Sequence, residues 1–164
     1  MSNGHLSLST LSDLPPDVRR PDYDVGAVGI GVIHLGLGAF HRAHQAVYTD
    51  TILHRHPEWG ISGVSLKTPR SMTALAPQDG LYSVLERGTT EISLRVIGAV
   101  RELLFLGNER DRVLARLADP RVRVVSLTVT EKGYCHDPAT GKLNFQHPEI
   151  VHDLAHPEDR KSVV

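Results

Sequence analysis

The sequence of 164 residues contains a single cysteine, Cys135, so no disulfide can form within the chain. A single cysteine is typical of a protein from a reducing compartment, and we expect a cytoplasmic location. Aromatic residues make up only 5% of the chain. No apolar run approaches the roughly 20 residues that a membrane-spanning helix needs. Residues 1–24 also lack the apolar segment of a signal peptide.

The chain also has no large excess of charge of either sign, because it contains 18 Lys and Arg residues and 19 Asp and Glu residues. Nucleic acids and membrane surfaces both attract a basic protein face, so neither is expected as a partner. The length fits one domain. A chain of this size buries about two-thirds of its surface on folding and needs no metal or disulfide to fold.

Short apolar runs alternate with amphipathic segments, and this order predicts the fold class. Residues 1–25 are expected to form an irregular extension, because three prolines interrupt them. The runs at 28–35, 61–67 and 122–130 predict strands. Helices are expected at 39–56, after a Thr68-Pro69 cap and after Asn108, which resembles a capping residue. The alternation predicts an α/β fold with a mainly parallel sheet and flanking helices.

Two further features interrupt this alternation. The segments 81–87 and 91–97 flank a Gly-Thr-Thr turn and suggest an inserted β-hairpin, with Ile92, Leu94 and Val96 on its buried face. The residues after Gly133 are polar and are expected to be loop-like, with a turn at 137–141.

The sharpest local motif is Gly36-Leu37-Gly38, between the first strand and the first long helix. Two glycines one residue apart permit a tight turn and a close approach of phosphate, and helix amides that follow can bind an anion. Gly36 and Gly38, with Ala39, Phe40 and His41 at the helix start, are therefore candidate cofactor-binding residues. The third glycine of G-x-G-x-x-G is His41 here, and an ordinary strand-to-helix turn is the alternative interpretation.

The second strand ends without the carboxylate that commonly binds the ribose of NAD. Lys67 and Arg70 follow it instead, and either they meet the 2′-phosphate of NADP or they are solvated basic residues beside a helix. Asp79 is a further candidate, although it also fits a simple turn with Gly80. Thr130 and Glu131 follow the strongest predicted strand, where ligands bind in parallel sheets, unless they form only a salt-bridged loop.

Ten histidines make a metal site a hypothesis to consider. His41 and His44 are three residues apart on the predicted helix, but a cationic Arg42 lies between them and no third ligand follows at a familiar spacing. We therefore expect no metal site. His41, Arg42 and His44 are expected either to serve the phosphate end of a cofactor or to tie the helix start to a neighbouring loop, and Cys135 is interpreted as structural or incidental.

The run I-H-L-G-L-G-A-F-H-R-A-H-Q at 33–45 resembles the N-terminal signature of the mannitol dehydrogenase family, the polyol-specific long-chain dehydrogenases. Three later segments agree with that family in the same order: G-V-S-L at 63–66, Q-D-G-L-Y at 78–82 and S-L-T-V-T-E-K-G-Y at 126–134. Four ordered motifs are more specific than one glycine turn. The resemblance covers about residues 11–157.

The resemblance implies a Rossmann-like NAD(P)-binding domain, here at residues 26–158, followed in the family by a mostly helical substrate domain. It implies metal-independent hydride transfer between nicotinamide and a secondary alcohol or ketone of a polyol or sugar acid, as in mannitol/fructose or mannonate/fructuronate interconversion. Cofactor binding carries over to Gly36, Gly38, Phe40 and His41 and, near the nicotinamide, to Thr130 and Glu131. NAD is the expected cofactor. Some family members have an acidic pair where this chain has Lys67-Thr68, and this difference makes NADP the alternative.

The family's catalytic lysine, asparagines and histidine lie in the part that follows, so no residue here inherits a catalytic role, and neither Lys132 nor His136 is assigned one. Residues 159–164 do not resemble the family's continuation and are expected to be an artefactual tail of a truncated reading frame. The chain is then the cofactor-binding part of an oxidoreductase, inactive alone. A non-catalytic nucleotide-binding module and a histidine-rich metal binder are the alternatives. The sequence leaves the substrate and the oligomeric state open.

Overall fold

The computed structural model describes residues 5–89, 91–129 and 131–159, with the backbone alone for Glu131 and Lys132. These residues group into two units that divide after Thr128. The strands of the first unit are β1 (Val18–Arg19), β2 (Ile30–Leu35), β3 (Gly60–Ser65), β4 (Tyr82–Arg87), β5 (Ile92–Ile97), β6 (Val100–Phe105) and β7 (Val124–Leu127). Its α-helices are α1 (Ala39–Ala43), α2 (Gln45–Ile52), α3 (Arg70–Leu75) and α4 (Arg110–Leu117), and the second unit contains α5 (Pro148–Ala155).

Four strands form a wholly parallel sheet in the order β6-β3-β2-β7. Parallel neighbours need crossover connections, and helices supply them between β2 and β3 and between β6 and β7. The chain begins the sheet at β2, adds β3 and β6 on one side, and then returns to add β7 on the other. This order is that of the first half of a doubly wound nucleotide-binding fold, in which ligands bind where the order reverses. The predicted parallel α/β fold is confirmed.

The predicted β-hairpin is present, since β4 and β5 pair in antiparallel register from Tyr82 and Ile97 to Arg87 and Ile92. β1 pairs with β5, so the hairpin belongs to a separate three-stranded sheet. Thr90, in the predicted hairpin turn, lies outside the described residues. The simple alternation expected along β5 is wrong, because Ile92 is 71% exposed while Arg95 is partly buried.

Strand β6 is absent from the sequence-based prediction, because Arg101 and Glu102 interrupt its apolar run. The fold accommodates Glu102 by giving it partners: Ser62 donates to its carboxylate at 2.6 Å and Arg116 of α4 binds it with two bonds of 2.8 Å. Burial raises the pKa of Glu102, but these hydrogen bonds outweigh it and hold the pKa below its ordinary value. Glu102 is therefore tolerated in this strand only because residues distant in the sequence bind its carboxylate.

Both predicted helix caps differ from the structure. Glu109, not Asn108, is the N-cap of α4, and its carboxylate accepts the amide of Phe105 at 2.9 Å instead of capping the helix. Pro69, not Thr68, precedes α3, which has no side-chain cap. Among the described residues, no helix has the length and apolar character needed to cross a membrane.

The core of the first unit lies on both faces of the parallel sheet. One cluster packs the sheet against α4 and consists of Ile33, Val64, Leu104 and Val113. The other packs it against α2, α3 and the hairpin and includes Leu37, Ala46, Leu53, Ile61, Leu75 and Ile97. Strand β7, shorter than predicted, leaves much of Val125 and Leu127 exposed, at 50% and 54%. An apolar run in the sequence therefore does not by itself specify a buried strand here.

The second unit contains more structure than the loop predicted after Gly133. The expected turn at 137–141 is present, with the amide of Gly141 donating to the carbonyl of Asp137 at 2.8 Å. Helix α5 is missed by the prediction, and its start explains why. His147 caps α5 and Pro148 lies in its first turn, a position where proline is common. In the sequence this proline indicates a loop, whereas in the structure it marks the start of the helix.

We expect Gly80→Ala to destabilise the first unit by about 2 kcal/mol more than Gly36→Ala. Gly80 has a φ of +78°, and a Cβ atom there would lie 2.3 Å from the carbonyl oxygen of Val100. Gly36 has a φ of +93° but nothing within 4 Å of its Cβ position, so its substitution adds backbone strain alone. Urea unfolding of the two variants provides the comparison. Equal losses would contradict the steric argument.

Candidate functional site

The turn between β2 and α1 is formed by Gly36-Leu37-Gly38. Because the Cβ position of Gly36 is open, its left-handed backbone, not crowding, favours glycine there. Its amide donates to the carbonyl of Val64 in β3 at 2.8 Å, and the amide of Gly38 closes the turn on the carbonyl of Gly36 at 2.6 Å. Gly38 is exposed, so the backbone of the turn is open to a ligand at a point where no side chain intervenes.

The helix expected at 39–56 is interrupted, which corrects the prediction. α1 ends at Ala43 and α2 begins at Gln45, and between them His44 has a φ of −129° and a ψ of −84°, outside the helical range. Gly38 is the N-cap of α1 and provides no side-chain cap, which leaves first-turn amides to other partners. A five-residue helix has a small macrodipole. An anion bound at the turn would therefore be held mainly by hydrogen bonds from these amides.

His41, at the third glycine position of the motif, lies inside the protein with 1% of its surface exposed. Its ring stacks on the ring of His34 in β2, with centroids 3.6 Å apart and planes 11° from parallel. Its Nδ1 lies 3.0 Å from Oε1 of Gln45. The two stacked imidazoles thus lie between α1 and β2. A glycine at position 41 would allow the helix and the strand to approach each other more closely. The ring of His41 is therefore not exposed to a ligand at the turn.

Both imidazoles are uncharged at neutral pH. Burial, reinforced by the neighbouring His41, lowers the pKa of His34 to about 4. Burial also lowers the pKa of His41. His34 has hydroxyl partners on the strand side, with Nδ1 2.9 Å from Oγ of Ser126 and Nε2 3.3 Å from Oγ1 of Thr128. Among the described residues, Nε2 of His41 is buried without a hydrogen-bond partner.

A cavity of about 490 Å³ lies beside the turn, between α1 and α3. Its lining within the described residues includes two arginines and no acidic residue: Ala39, Arg42, Arg70, Ser71, Ala74, Leu75, Tyr82 and Ser83. Arg42 is held in place, because its Nη1 donates to the carbonyl of Leu37 at 2.9 Å and to Oγ of Ser71 at 3.2 Å. The cavity therefore offers positive charge next to the open backbone of the turn.

The structure brings together part of the predicted cofactor-binding set. Ala39 and Arg70 both line this cavity. Phe40 is 61% exposed and stacks on His44 with centroids 5.0 Å apart. Lys67 is exposed in the loop between β3 and α3 and is not among the residues that line the cavity.

Asp79 lies elsewhere. It has a left-handed φ of 54°, its carboxylate accepts the amide of Leu8 at 3.0 Å, and it lines a different cavity together with Arg101. Thr130 lies outside the described residues. Glu131 begins a short 3-10 helix of the second unit, and only its backbone is described.

Ser71 and Tyr82, both hydrogen-bonded to Arg42, are cavity residues that are absent from the sequence-based prediction, whereas Arg42 is named in it. The Tyr82 hydroxyl donates to the carbonyl of Arg42 at 2.7 Å, and burial raises its pKa. These contacts join residues 29 and 40 positions apart. No local pattern in the sequence indicates them.

The strand order and the glycine turn at the end of the central strand β2 define the first unit as a Rossmann-type domain. A family model described as the mannitol dehydrogenase Rossmann domain matches residues 30–162. The chain therefore belongs to the mannitol dehydrogenase family, as its four ordered motifs predict.

Curated relatives support the same family. The chain is 43% identical over 152 residues to the uncharacterized oxidoreductase YeiQ of Escherichia coli, covering 91% of this chain and 31% of the relative. It is 40% identical over 157 residues to mannitol 2-dehydrogenase of Pyricularia oryzae, covering 91% and 31%. It is also 40% identical over 162 residues to D-mannonate oxidoreductase of Escherichia coli, covering 96% and 33%. The chain thus spans about a third of the length of these relatives.

Two solved structures are similar as well. Mannitol 2-dehydrogenase of Pseudomonas fluorescens, determined as a ternary complex with NAD and D-mannitol, matches with a TM-score of 0.78 and 40% identity over 96% of this chain and 33% of that one. D-sorbitol dehydrogenase in a substrate-free form matches with a TM-score of 0.76 and 36% identity over 97% and 34%.

Proposed function

We propose that this chain is the cofactor-binding part of an NAD(P)-dependent oxidoreductase that transfers hydride between nicotinamide and a secondary alcohol or ketone. The observation that carries the proposal is the match to the Rossmann domain of the mannitol dehydrogenase family. The substrate class we propose is a polyol or sugar acid, because the relatives include a mannitol 2-dehydrogenase and a D-mannonate oxidoreductase.

The pyrophosphate of the cofactor is assigned to the turn formed by Gly36 and Gly38 and to the helix start at Ala39, Phe40 and His41. The open backbone at Gly38 and the uncapped first turn of α1 support this assignment. The arginine-lined cavity beside the turn supports it further, because it places cationic side chains where a phosphorylated ligand would extend. Asp79, Thr130 and Glu131 remain predictions from the sequence.

We expect Gly38→Val to abolish saturable binding of NADH and NADPH without unfolding the protein. A Cβ atom at Gly38 would lie 3.7 Å from its nearest neighbour, which is an ordinary contact, so the fold tolerates it while the branched side chain fills the space for phosphate. Fluorescence titration of both cofactors against the purified chain measures the effect.

Gly29→Val is the matched control, because a Cβ atom at Gly29 would also have its nearest neighbour at 3.7 Å. Gly29 precedes β2 at the end opposite to the turn, so this variant should bind like the parent chain. Unchanged cofactor affinity in Gly38→Val would reject the site. Loss of affinity in both variants would attribute the effect to the fold.

NAD is the cofactor we propose, with NADP as the alternative, and Lys67 and Arg70 decide between them. If they bind a 2′-phosphate, the double variant Lys67→Ser, Arg70→Ser should lose about tenfold in NADPH affinity and keep its NADH affinity, because only NADPH has that charge. Titration of both cofactors against the double variant makes the comparison. Unchanged affinity for NADPH would mean that these side chains do not bind a 2′-phosphate.

The catalytic step is assigned to residues outside this chain, since the relatives are about three times longer. We therefore propose that residues 26–158 form the NAD(P)-binding domain, that a substrate domain accompanies it in the whole protein, and that this chain alone is inactive. We propose a cytoplasmic location, with small molecules and not nucleic acid or membranes as partners. A nucleotide-binding module without a catalytic partner is the second candidate. Turnover by a fusion of this chain with the part of a relative that lies beyond the match distinguishes the two.

A further inference from the structure

The second unit brings three chemically different metal-ligating side chains together. One donor atom from each of Cys135, His147 and Glu149 lies within 4.8 Å of the other two. Cys135 is 2% exposed, and both other residues are partly buried. The spacing, eleven residues between the cysteine and the histidine and one between the histidine and the glutamate, matches no familiar motif, so the group is visible only in the fold.

The backbone between these residues is fixed by hydrogen bonds. The amide of Asn144 donates to the carbonyl of Cys135 at 2.9 Å, and the amide of His147 donates to the carbonyl of Asn144 at 3.0 Å. Cys135 itself has a left-handed φ of 49°, which a cysteine adopts only at a cost of about 1–2 kcal/mol. The loop therefore presents the thiol to the start of α5 despite backbone strain.

The distance between the sulfur and the carboxylate oxygen suits a small tetrahedral cation. The Sγ atom of Cys135 lies 3.9 Å from Oε2 of Glu149. Two ligands of Zn²⁺, a thiolate at about 2.3 Å and a carboxylate oxygen at about 2.1 Å, are about 3.6 Å apart at the tetrahedral angle. The sulfur and the oxygen thus lie close to the separation that zinc requires, before any adjustment of side chains.

The charges also balance. A thiolate and a carboxylate together neutralise a divalent cation, with a neutral imidazole as the third ligand. Because Nδ1 of His147 accepts the amide of Glu149 at 3.3 Å and a neutral imidazole has one acceptor nitrogen, zinc replaces this cap hydrogen bond when it binds. The positive end of α5, whose first turn contains Glu149, stabilises the anionic forms of these ligands. Sulfur and imidazole ligands select zinc or its substitute cobalt over magnesium and calcium, which prefer oxygen alone.

We propose that Cys135, His147 and Glu149 bind a Zn²⁺ ion that fastens the loop 135–147 to the start of α5. Three protein ligands leave the fourth coordination position for water. These ligands are not among the residues of the proposed cofactor site, so the proposal does not depend on it.

The test is titration of the metal-free 164-residue chain with Co²⁺, followed by displacement with Zn²⁺. We expect one equivalent of cobalt to give a thiolate-to-cobalt charge-transfer band and the intense visible bands of tetrahedral coordination, both removed by zinc. Cys135→Ser should abolish the charge-transfer band. Glu149→Gln and His147→Asn should each weaken zinc binding about tenfold or more.

The double variant His152→Asn, His156→Asn is the matched control, because these two histidines, with ring centroids 5.0 Å apart on and after α5, could compete for the cation and lie outside the group. It should keep the parent spectrum and zinc affinity. Glu149→Gln preserves the size of the side chain, so it tests the proposal even if Cys135→Ser fails to fold. Absence of the charge-transfer band in the parent chain, or unchanged zinc affinity in Glu149→Gln and His147→Asn, would overturn the proposal.

Discussion

Replacing Asp50 by alanine is expected to destabilise the protein by about 3–5 kcal/mol, the largest single effect that we predict. Asp50 is 4% exposed, and its carboxylate has three donors. The Tyr23 hydroxyl and the amide of Gly98 both bind Oδ1, the amide at 2.8 Å, and Arg95 binds Oδ2 at 3.0 Å. These contacts join α2 to the N-terminal extension and to the end of the hairpin.

The size of the effect follows from what the substitution leaves behind. The side chain of Arg95 is only 13% exposed, so removing Asp50 leaves a poorly solvated guanidinium without its counter-charge. The amide of Gly98 and the hydroxyl of Tyr23 lose their acceptor in the same step. Burial, followed by the charge of Asp50, raises the pKa of Tyr23, so this hydroxyl remains a donor at all ordinary pH values.

Urea unfolding of Asp50→Ala measures the loss, with Asp111→Ala as the control. Asp111 is exposed in the first turn of α4, so its replacement should cost well under about 1 kcal/mol. Tyr23→Phe removes one of the three donors and should cost about 1 kcal/mol. A loss for Asp50→Ala no greater than that of the Asp111 control would show that the buried ion pair does not support the fold.

The second large effect is a loss of stability in mild acid caused by the stacked histidines. The pKa of His34 falls from 6.5 to about 4 on folding. The unfolded chain therefore binds a proton that the folded chain rejects throughout that interval. The free energy of unfolding therefore has its full value above pH 6.5 and decreases as the pH approaches 4. The decrease from His34 alone is about 3 kcal/mol. His41 acts in the same direction, because burial lowers its pKa too.

The surroundings of the pair make this loss specific. The groups that face His34 are His41 and the hydroxyls of Ser126 and Thr128, and no carboxylate is among these contacts to stabilise an imidazolium. Glu102 also destabilises the fold in acid, because its pKa lies below the ordinary 4.5. That contribution is lost only at lower pH, so the interval between pH 6.5 and 5 reports the histidines.

Urea unfolding at a series of pH values tests this prediction, with His34→Gln and His54→Gln compared. His34→Gln keeps a hydrogen-bonding side chain but cannot titrate, so its stability should change less between pH 6.5 and 5. His54 is exposed and makes no contact with the stack, so His54→Gln should follow the parent chain. If the two variants show the same pH profile, the stack is not the source of the acid sensitivity.

Parts of the candidate site could be predicted because their causes are local. A left-handed φ at Gly36 is a property of one residue, and the apolar runs of β2 and β3 do form strands with buried residues, as the sequence predicts. The turn and its place after the first strand therefore follow from sequence. The position of Arg70 beside the turn also follows from its place after the second strand.

Other parts could not be predicted, since their partners are distant in the chain. The ring of His41 is buried because His34 offers a flat surface to it, and nothing around position 41 indicates that stack. Arg42 becomes part of a cavity wall only through Ser71 and Tyr82. The sequence indicates Asp79 as a candidate ligand-binding residue, but its carboxylate accepts a hydrogen bond from the amide of Leu8.

The sequence by itself determined the fold class, the family and the glycine turn, because apolar periodicity, glycine conformation and ordered motifs are all encoded within short segments. Only the tertiary structure decided which polar residues are buried and what satisfies them. Glu102 lies in a strand because Arg116 neutralises it, and Cys135 meets His147 because a loop closes on itself. The physical reason is the same in each case: a charged or polar group can leave water only when a partner, often far along the chain, replaces the lost hydration.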